Sequence, residues 1–381
     1  MHITAVTPFA CASPVTDWVF VRVDTDQPGL VGWGEASLPG KYAGVMGAVQ
    51  DVGGLILGAD PTDSEWCWQR IYRHAYWRGG PVQTSALSGI DVALWDIRGK
   101  LAGQPIHKLL GGPVRRRIRL YANCGLATDP EVFRTRVREA VGLGYTAVKI
   151  YPLPPMGPVA GPALLRQVAA CCEAVRDELG PDRDFAVDCH GRMTAAVAVQ
   201  VEAAIRHTSP LWIEEPVAPE SPQALARCAE AFVTPVAVGE RLFTRWAFRD
   251  VLERGWAGII QPDVSNAGGI TEMARLAQLA ELYGVGFAPH NPNGPLQTWA
   301  SLHLAAHAQA FAILEHRHEP PLQAFMRAIA GTIVEIGPDG HAALPAAPGL
   351  GAAIDAAALA AHPPRRFVHE SFRPDGSIGD W

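Results

Sequence analysis

From residue 118 onward the chain alternates short, nearly continuous apolar runs with stretches of helical spacing. The runs are 118–121, 147–151, 185–190, 211–215, 236–240, 259–263, 285–290 and 312–316. Strands buried on both faces read this way, because helices cover the sheet above and below. The pitch is so regular that Asp188, Glu214 and Glu240 fall 26 residues apart in turn. One strand, one helix and two loops fit such an interval, so each interval is one βα unit. Eight units predict a TIM-type barrel. The rival is a doubly wound open sheet; against it, no Gly-x-Gly-x-x-Gly or Walker-type loop follows any run.

Residues 1–115 have another texture. Three β-rich runs (3–6, 18–23 and 31–35) are separated by Pro, Gly and Asp, as in an antiparallel sheet. Helical spacing then runs from Val45 to Leu57, Ser64 to His74 and Ser85 to Leu101, with starts expected at Pro61-Thr62-Asp63 and Thr84-Ser85. After Thr332 the rhythm is lost in a Pro-, Gly- and Ala-rich tail. The expected organisation is an N-terminal α+β capping domain (1–115), a barrel (116–331) and a C-terminal segment (332–381) that returns to complete the capping domain.

A net charge of -6 argues against a nucleic-acid surface. The basic cluster Arg115-Arg116-Arg117-Ile118-Arg119 is expected to be a solvated turn leading into a strand. Pro345, Pro348, Gly349, Gly351 and Asp355 break up the alanine-rich stretch 341–362, which leaves no membrane-spanning candidate. Met1-His2-Ile3 leads straight into a strand-like pattern with no secretory signal. Seven cysteines without Cys-x-x-Cys spacing suggest reduced thiols and a cytoplasmic location. Cys189 lies between Asp188 and His190, so on a strand it faces away from them into packing.

In a barrel the chemistry gathers at the C-terminal strand ends. Those ends carry Lys149 and Tyr151, Asp188 and His190, Glu214, Glu240, Asp263, His290 and Glu315. A single acid there is ordinarily a helix cap or a solvated turn, but ionisable groups on seven successive ends point to a site. Asp188, Glu214 and Glu240, on consecutive strands, would repel one another without a cation. Oxygen ligands without cysteine favour Mg²⁺, then Mn²⁺, over zinc. The bland alternative pairs each acid with a base such as Arg192 or Arg241. His290 follows Asp263 by one βα unit, so the Asp can accept a hydrogen bond from one ring nitrogen and raise the basicity of the other. That is the arrangement of a general base with its orienter.

Together, Asp188-Cys189-His190-Gly191-Arg192, Ile213-Glu214-Glu215-Pro216, Gly239-Glu240-Arg241, Gln261-Pro262-Asp263 and Ala288-Pro289-His290 resemble the enolase superfamily, mandelate racemase subgroup. In the first domain, 76–81, 88–97 and 109–112 resemble the galactonate-dehydratase branch of that subgroup. The resemblance implies a capping domain on a modified (β/α)7β barrel, one Mg²⁺ on Asp188, Glu214 and Glu240, and abstraction of the proton α to a carboxylate. It further implies His290 with Asp263 as base and His190 as the acid that protonates a departing 3-hydroxyl. Glu315, protonated, would donate to the substrate carboxylate, with Lys149 and Tyr151 among the substrate-binding groups. The implied reaction is Mg²⁺-dependent dehydration of an acid sugar, galactonate or a related aldonate, to a 2-keto-3-deoxy acid, carried out by a homo-oligomer.

The chain departs from the racemases of the subgroup at Lys149-Ile150-Tyr151, where their Lys-x-Lys supplies a second lysine as base. A racemase, epimerase or cycloisomerase using the same enolate is the enzymatic alternative, and a non-catalytic metal-bearing barrel the remote one. The proline-rich stretch 152–158 could border the sugar, and 38–42 would reach over the barrel mouth.

Overall fold

The computed structural model describes residues 1–74, 76–368, 370–373 and 375–380. The N-terminal runs form an antiparallel sheet of β1 (Ile3–Ala12), β2 (Asp17–Thr25) and β3 (Val31–Glu35). Helices α1 (Tyr42–Gly53), α2 (Ser64–His74) and α3 (Pro81–Ala102) follow. Alternation along β2 divides the packing between its two faces. Val19, Val21 and Val23 join the core shared with these helices. Trp18 and Phe20 join a second core, built with barrel residues.

Helix α3 starts at Pro81, ahead of the expected Thr84-Ser85. Proline at the first helical turn is preorganised for it and has no N–H to satisfy. The hydroxyls of Thr84 and Ser88 turn inward instead of capping, donating to the carbonyls of Gly80 (2.5 Å) and Thr84 (2.6 Å). The helix lies directly on β3: a Cβ at Gly34 would sit 2.0 Å from the Gly89 carbonyl.

The later runs become β4 (Arg117–Leu126), β5 (Ala147–Tyr151), β6 (Asp184–Asp188), β7 (Ile213–Glu214), β8 (Val236–Val238), β9 (Ile259–Ile260), β10 (Gly286–Phe287) and β11 (Leu314–His316). They pair in parallel in chain order, with β11 beside β4. The ring closes between β10 and β11, where Phe287 N donates to Ala310 O and Ala312 N to Phe287 O, both at 2.9 Å. Closure removes the open-sheet rival. Strand β4 runs on past the expected end at Tyr121, with a register irregularity between Asn123 and Leu126.

The capping domain docks through α3. Asp91 accepts from Thr271 N (2.9 Å) and Thr271 Oγ1 (2.6 Å) at the start of the helix Gly269–Leu282, and Ser88 Oγ accepts from Gly268 N (2.8 Å). The tail begins differently from expectation. Its strand β12 (His341–Ala343) first pairs antiparallel with the leading end of β4. It then crosses over: Leu350 N donates to Asp96 Oδ1 (2.8 Å) and Arg365 N to Asp17 Oδ1 (3.0 Å).

The basic cluster leads into β4 as expected, with Arg116 and Arg117 exposed, but Arg115 and Arg119 are structural clasps. Arg115 donates to the carbonyls of Ala305 and Ala308, and Arg119 pairs with Asp184 at 2.7 Å. All seven cysteines are buried and unpaired, Cys189 among them. Among the described residues, no helix is long and apolar enough to cross a membrane.

Candidate active site

The barrel interior is plugged by Tyr121, Ala147, Ala186, Trp212, Ala237, Ala288 and Ile313. Residues i and i+2 of a strand face the same side. Two positions beyond the plug the inward layer therefore turns polar, as Asn123, Lys149, Asp188, Glu214, His290 and Glu315. Gln261 stands in the same relation to Ile259, which packs against the plug. Two positions further come Tyr151, His190 and Asp263. The site is thus the second and third inward layers of the barrel, set on an apolar floor.

The ligand atoms of Asp188, Glu214 and Glu240 lie within 4.8 Å of one another. Asp188 Oδ2 is buried and makes no hydrogen bond, although Lys149 Nζ stands 3.3 Å away. Glu214 Oε1 accepts from Lys149 Nζ (2.6 Å), and its Oε2 accepts from Trp212 Nε1 (3.0 Å) and Gln261 Nε2 (2.8 Å). Burial pushes Asp188 up to about 6 against the pull of Lys149. Burial and the charge of Asp188 push Glu214 up to about 8. Counter-charges therefore leave Asp188 and Glu214 under-compensated, whereas against burial His290 holds the Glu240 carboxyl well below its usual range; Asp188 keeps one orphaned buried oxygen. Both features fit a hard divalent cation.

The arginines weighed as partners for the triad are engaged elsewhere. Arg241 donates from Nε to Glu215 Oε2 (3.0 Å), and Arg192 donates to the Leu153 carbonyl. The counter-ion inside the site is Lys149, fully buried and also 3.2 Å from Glu315 Oε1. Burial alone would depress its ammonium, but Glu214 and Glu315 outweigh burial and hold it well above the ordinary lysine range.

His290 Nδ1 donates to Asp263 Oδ2 (2.8 Å), and Nε2 lies 3.0 Å from Glu240 Oε2. Burial would lower this imidazole, but Glu240 and Asp263 raise it well above its usual range. His190 sits on the opposite stave, since three strands separate β6 from β10 in either direction round the ring. Its backbone is left-handed (φ 51), as is that of Glu215 (φ 43), a conformation that side-chain-bearing residues adopt at a cost. Its ring lies 4.6 Å, centroid to centroid, from that of Tyr151, and Nε2 stands 3.6 Å from Asp188 Oδ2. Burial brings His190 down to about 4.

Glu315 is held on both carboxylate oxygens. Its Oε1 accepts from Asn123 Nδ2 (2.7 Å) and its Oε2 from Asn291 N (2.9 Å). Burial would raise its carboxyl, but Lys149 and His290 keep it below the usual range. Asn123, which also donates to the Tyr151 hydroxyl (2.6 Å), escaped the sequence reading because β4 was ended too early. Gln261 was missed because a search for ionisable groups passes over amides; the i+2 rule from the plug finds both. The proline-rich loop is packed rather than open: Leu153 and Met156 are buried, and Gln167 Nε2 donates to Pro152 O (3.0 Å). Leu38 packs on the capping domain's own core.

Comparison with known proteins agrees with this architecture. Residues 4–111 match the mandelate racemase / muconate lactonizing enzyme N-terminal domain, and residues 132–358 match the enolase C-terminal domain-like family. The D-galactonate dehydratase of Ralstonia nicotianae is 36% identical over 375 residues, 96% of each chain. That of Xanthomonas campestris pv. campestris is 38% identical over 304 residues, 80% of this chain and 78% of its own. A crystal structure of a mandelate racemase/muconate lactonizing enzyme from Sulfitobacter sp. superposes with a TM-score of 0.90 at 31% identity, covering 100% of this chain and 99% of that one. A member of the enolase superfamily from Salmonella Typhimurium gives 0.88 at 30%, covering 95% and 98%.

A closed barrel beneath a capping domain, with acids on three consecutive staves, defines an enolase-type enzyme. The chain belongs to the enolase superfamily, in its mandelate racemase subgroup, and is an enzyme of the hydro-lyase kind that its relatives represent.

Proposed function

We propose that the enzyme dehydrates an acid sugar, D-galactonate or a closely related aldonate, by removing the proton α to the carboxylate and expelling the 3-hydroxyl as water. The observation that carries this reading is the pair of imidazoles on opposite staves of one acid-lined barrel mouth, with Tyr151 where a second lysine base would stand. Asp188, Glu214 and Glu240 would hold a Mg²⁺ ion, Mn²⁺ being the alternative, which as a Lewis acid stabilises charge developing on the substrate carboxylate and withdraws the Glu240 charge from His290.

His290 accepts the α-proton at Nε2 while Asp263 holds Nδ1 and stabilises the imidazolium that forms. Lys149 supplies positive charge where the enolate gains negative charge. Glu315, fixed by Asn123 and Asn291, borders the substrate carboxylate. His190 gives a proton to the leaving hydroxyl. Burial lowers its proton affinity, and the negative charge of a bound acid sugar would shift it upward, as an acid requires. Loss of water leaves an enol that ketonises to the 2-keto-3-deoxy acid. The Tyr151 hydroxyl and its Asn123 partner border the sugar on the His190 side.

The test is a screen of aldonic and aldaric acids with Mg²⁺, read as 2-keto acid formation. Keto acid from D-galactonate or a stereochemical neighbour supports the reading; no keto acid from any of them overturns it. Two opposed imidazoles would also serve an epimerase, which in D₂O would deuterate the α-carbon without forming keto acid.

A further inference from the structure

Asp263 is held by more than the histidine it orients. Its Oδ2 accepts from His290 Nδ1 (2.8 Å) and from Gln297 Nε2 (2.7 Å), and its Oδ1 accepts from Ser265 N (2.7 Å). Three donors in different directions leave the carboxylate one orientation. Gln297 is itself pinned, its Oε1 accepting from Asn293 N (2.7 Å). It lies in the first turn of the helix Pro295–His307, whose N-cap is Gly294. Glycine has no side chain to accept the free N–H groups of that turn.

The missing acceptor comes from the other domain. Glu35, at the end of β3, accepts from Gly294 N on Oε1 (2.7 Å) and from Gln297 N on Oε2 (2.9 Å). One carboxyl group from the capping domain thus caps a barrel helix at two positions. Ser37 Oγ donates a further bond to Oε1 (2.7 Å). The approach requires glycine, since a Cβ at 294 would lie 2.7 Å from Glu35 Oε1.

We propose that Glu35 and Gln297 are positioning residues for the proton-abstracting pair. Docking of the capping domain, through Glu35, sets the start of the helix 295–307 and with it the Gln297 amide that holds Asp263 against His290. This rests on the reading of His290 as the base. The docked domain thereby also aligns the group that reacts in the barrel, so a capping domain displaced at Glu35 loosens the base. Small misplacements matter because proton abstraction needs the nitrogen, the α-carbon and the charge stabilisers aligned together.

The test uses the full-length Mg²⁺-loaded protein and two readouts. The first needs no substrate: the imidazole ¹H–¹⁵N spectrum, in which His290 is the signal lost in His290→Asn. Gln297→Met keeps the side-chain volume and removes the amide, and Glu35→Leu removes the cap. Both are expected to move the His290 signal, and Gln297→Met keeps the test alive if Glu35→Leu fails to fold. The second readout is α-proton exchange of D-galactonate in D₂O. Gln297→Met should lower kcat about 10-fold with KM within about 2-fold of the parent. In an Asp263→Asn background it should cost nothing more, because it acts through Asp263. An unmoved His290 signal in Gln297→Met, or a loss that multiplies with Asp263→Asn, overturns the proposal. If the parent exchanges no acid sugar at all, the proposed function fails while the spectrum still decides the positioning role.

Discussion

The two flanks of the barrel mouth hold their histidines by opposite means. On one, His290 stands between two carboxylates, Asp263 at 2.8 Å and Glu240 at 3.0 Å, and its proton affinity is raised. Behind it a chain of amide and carboxylate contacts runs through Gln297 to Glu35 of the capping domain. On the other, His190 projects from a left-handed backbone residue beside the Tyr151 ring, and burial lowers it to about 4. Its surroundings are tied to the proline-rich loop through Arg192, and the tail holds the same loop through Arg373 Nε on Met156 O (2.8 Å). Charge sets one histidine, while backbone shape and an aromatic face set the other. A base must keep its orientation through the whole reaction; an acid need only meet the hydroxyl when the substrate brings it. The asymmetry matches that division of labour.

The largest effects fall on what the two flanks share. Chelation of divalent cations is expected to remove both exchange and elimination, a loss of 10³-fold or more on the order of several kcal/mol of charge stabilisation. Mg²⁺ or Mn²⁺ should restore both activities. Recovery with Zn²⁺ alone would contradict the all-oxygen ligand set. His290→Asn should come next, with α-proton exchange in D₂O falling about 10³- to 10⁴-fold and Mg²⁺ affinity, measured by calorimetry, largely kept. Retained exchange would remove His290 from the role of base. His190→Asn should split the activities the other way, with elimination falling roughly 10²-fold or more and exchange changing far less. Equal losses of exchange and elimination in both variants would erase the difference between the flanks.

A smaller effect tests the tie between the His290 flank and the capping domain. Burial raises Glu35 from 4.5 to about 7 despite its three donors. Between those values the folded state binds the proton more tightly than the unfolded chain. The stabilising contribution is therefore complete below the unfolded value and is lost as pH rises through about 7. Urea unfolding of the parent against Glu35→Gln should show the parent losing roughly 2 kcal/mol relative to the variant between about pH 5.5 and 8. Parallel stability curves would mean that Glu35 is not buried against the helix 295–307 as described.

Much of the site is legible in the sequence, and the limit of that legibility has physical causes. The strand ends were legible because βα pitch and period-2 facing are local properties: Lys149, Asp188, Glu214, His290 and Glu315 all fall in one inward layer. Asn123 was lost to a strand ended early at Tyr121, and Gln261 to a search restricted to ionisable groups. The start of α3 falls ahead of Thr84-Ser85 because Thr84 carries a cap-type side chain whose hydroxyl is spent on the Gly80 carbonyl instead of capping. The contact of Glu35 with Gln297 spans 262 positions and two domains, so no local pattern announces it. The lowered proton affinity of Glu315 depends on where the Lys149 ammonium comes to rest, 3.2 Å away, which composition and spacing do not determine.

The finest test concerns Tyr151, the residue that most sets this chain apart from lysine-based racemases of its subgroup. Its phenol is raised well above the usual tyrosine range, first by burial, so the hydroxyl keeps its proton and cannot replace a lysine as base. It has two separable contacts: the ring lies 4.6 Å from that of His190, and the oxygen accepts from Asn123 Nδ2 at 2.6 Å. Tyr151→Phe removes only the second. Asn123 keeps its bond to Glu315 Oε1, so the loss should stay near one neutral hydrogen bond, about 1 kcal/mol, or roughly a fivefold rise in KM with kcat little changed. Tyr151→Ala removes the ring as well and frees His190 to turn, so elimination should fall while α-proton exchange at His290 persists. Should both variants instead depress exchange as strongly as elimination, Tyr151 would belong to the architecture of the whole mouth, and the two flanks would not be the independent halves that their electrostatics suggest.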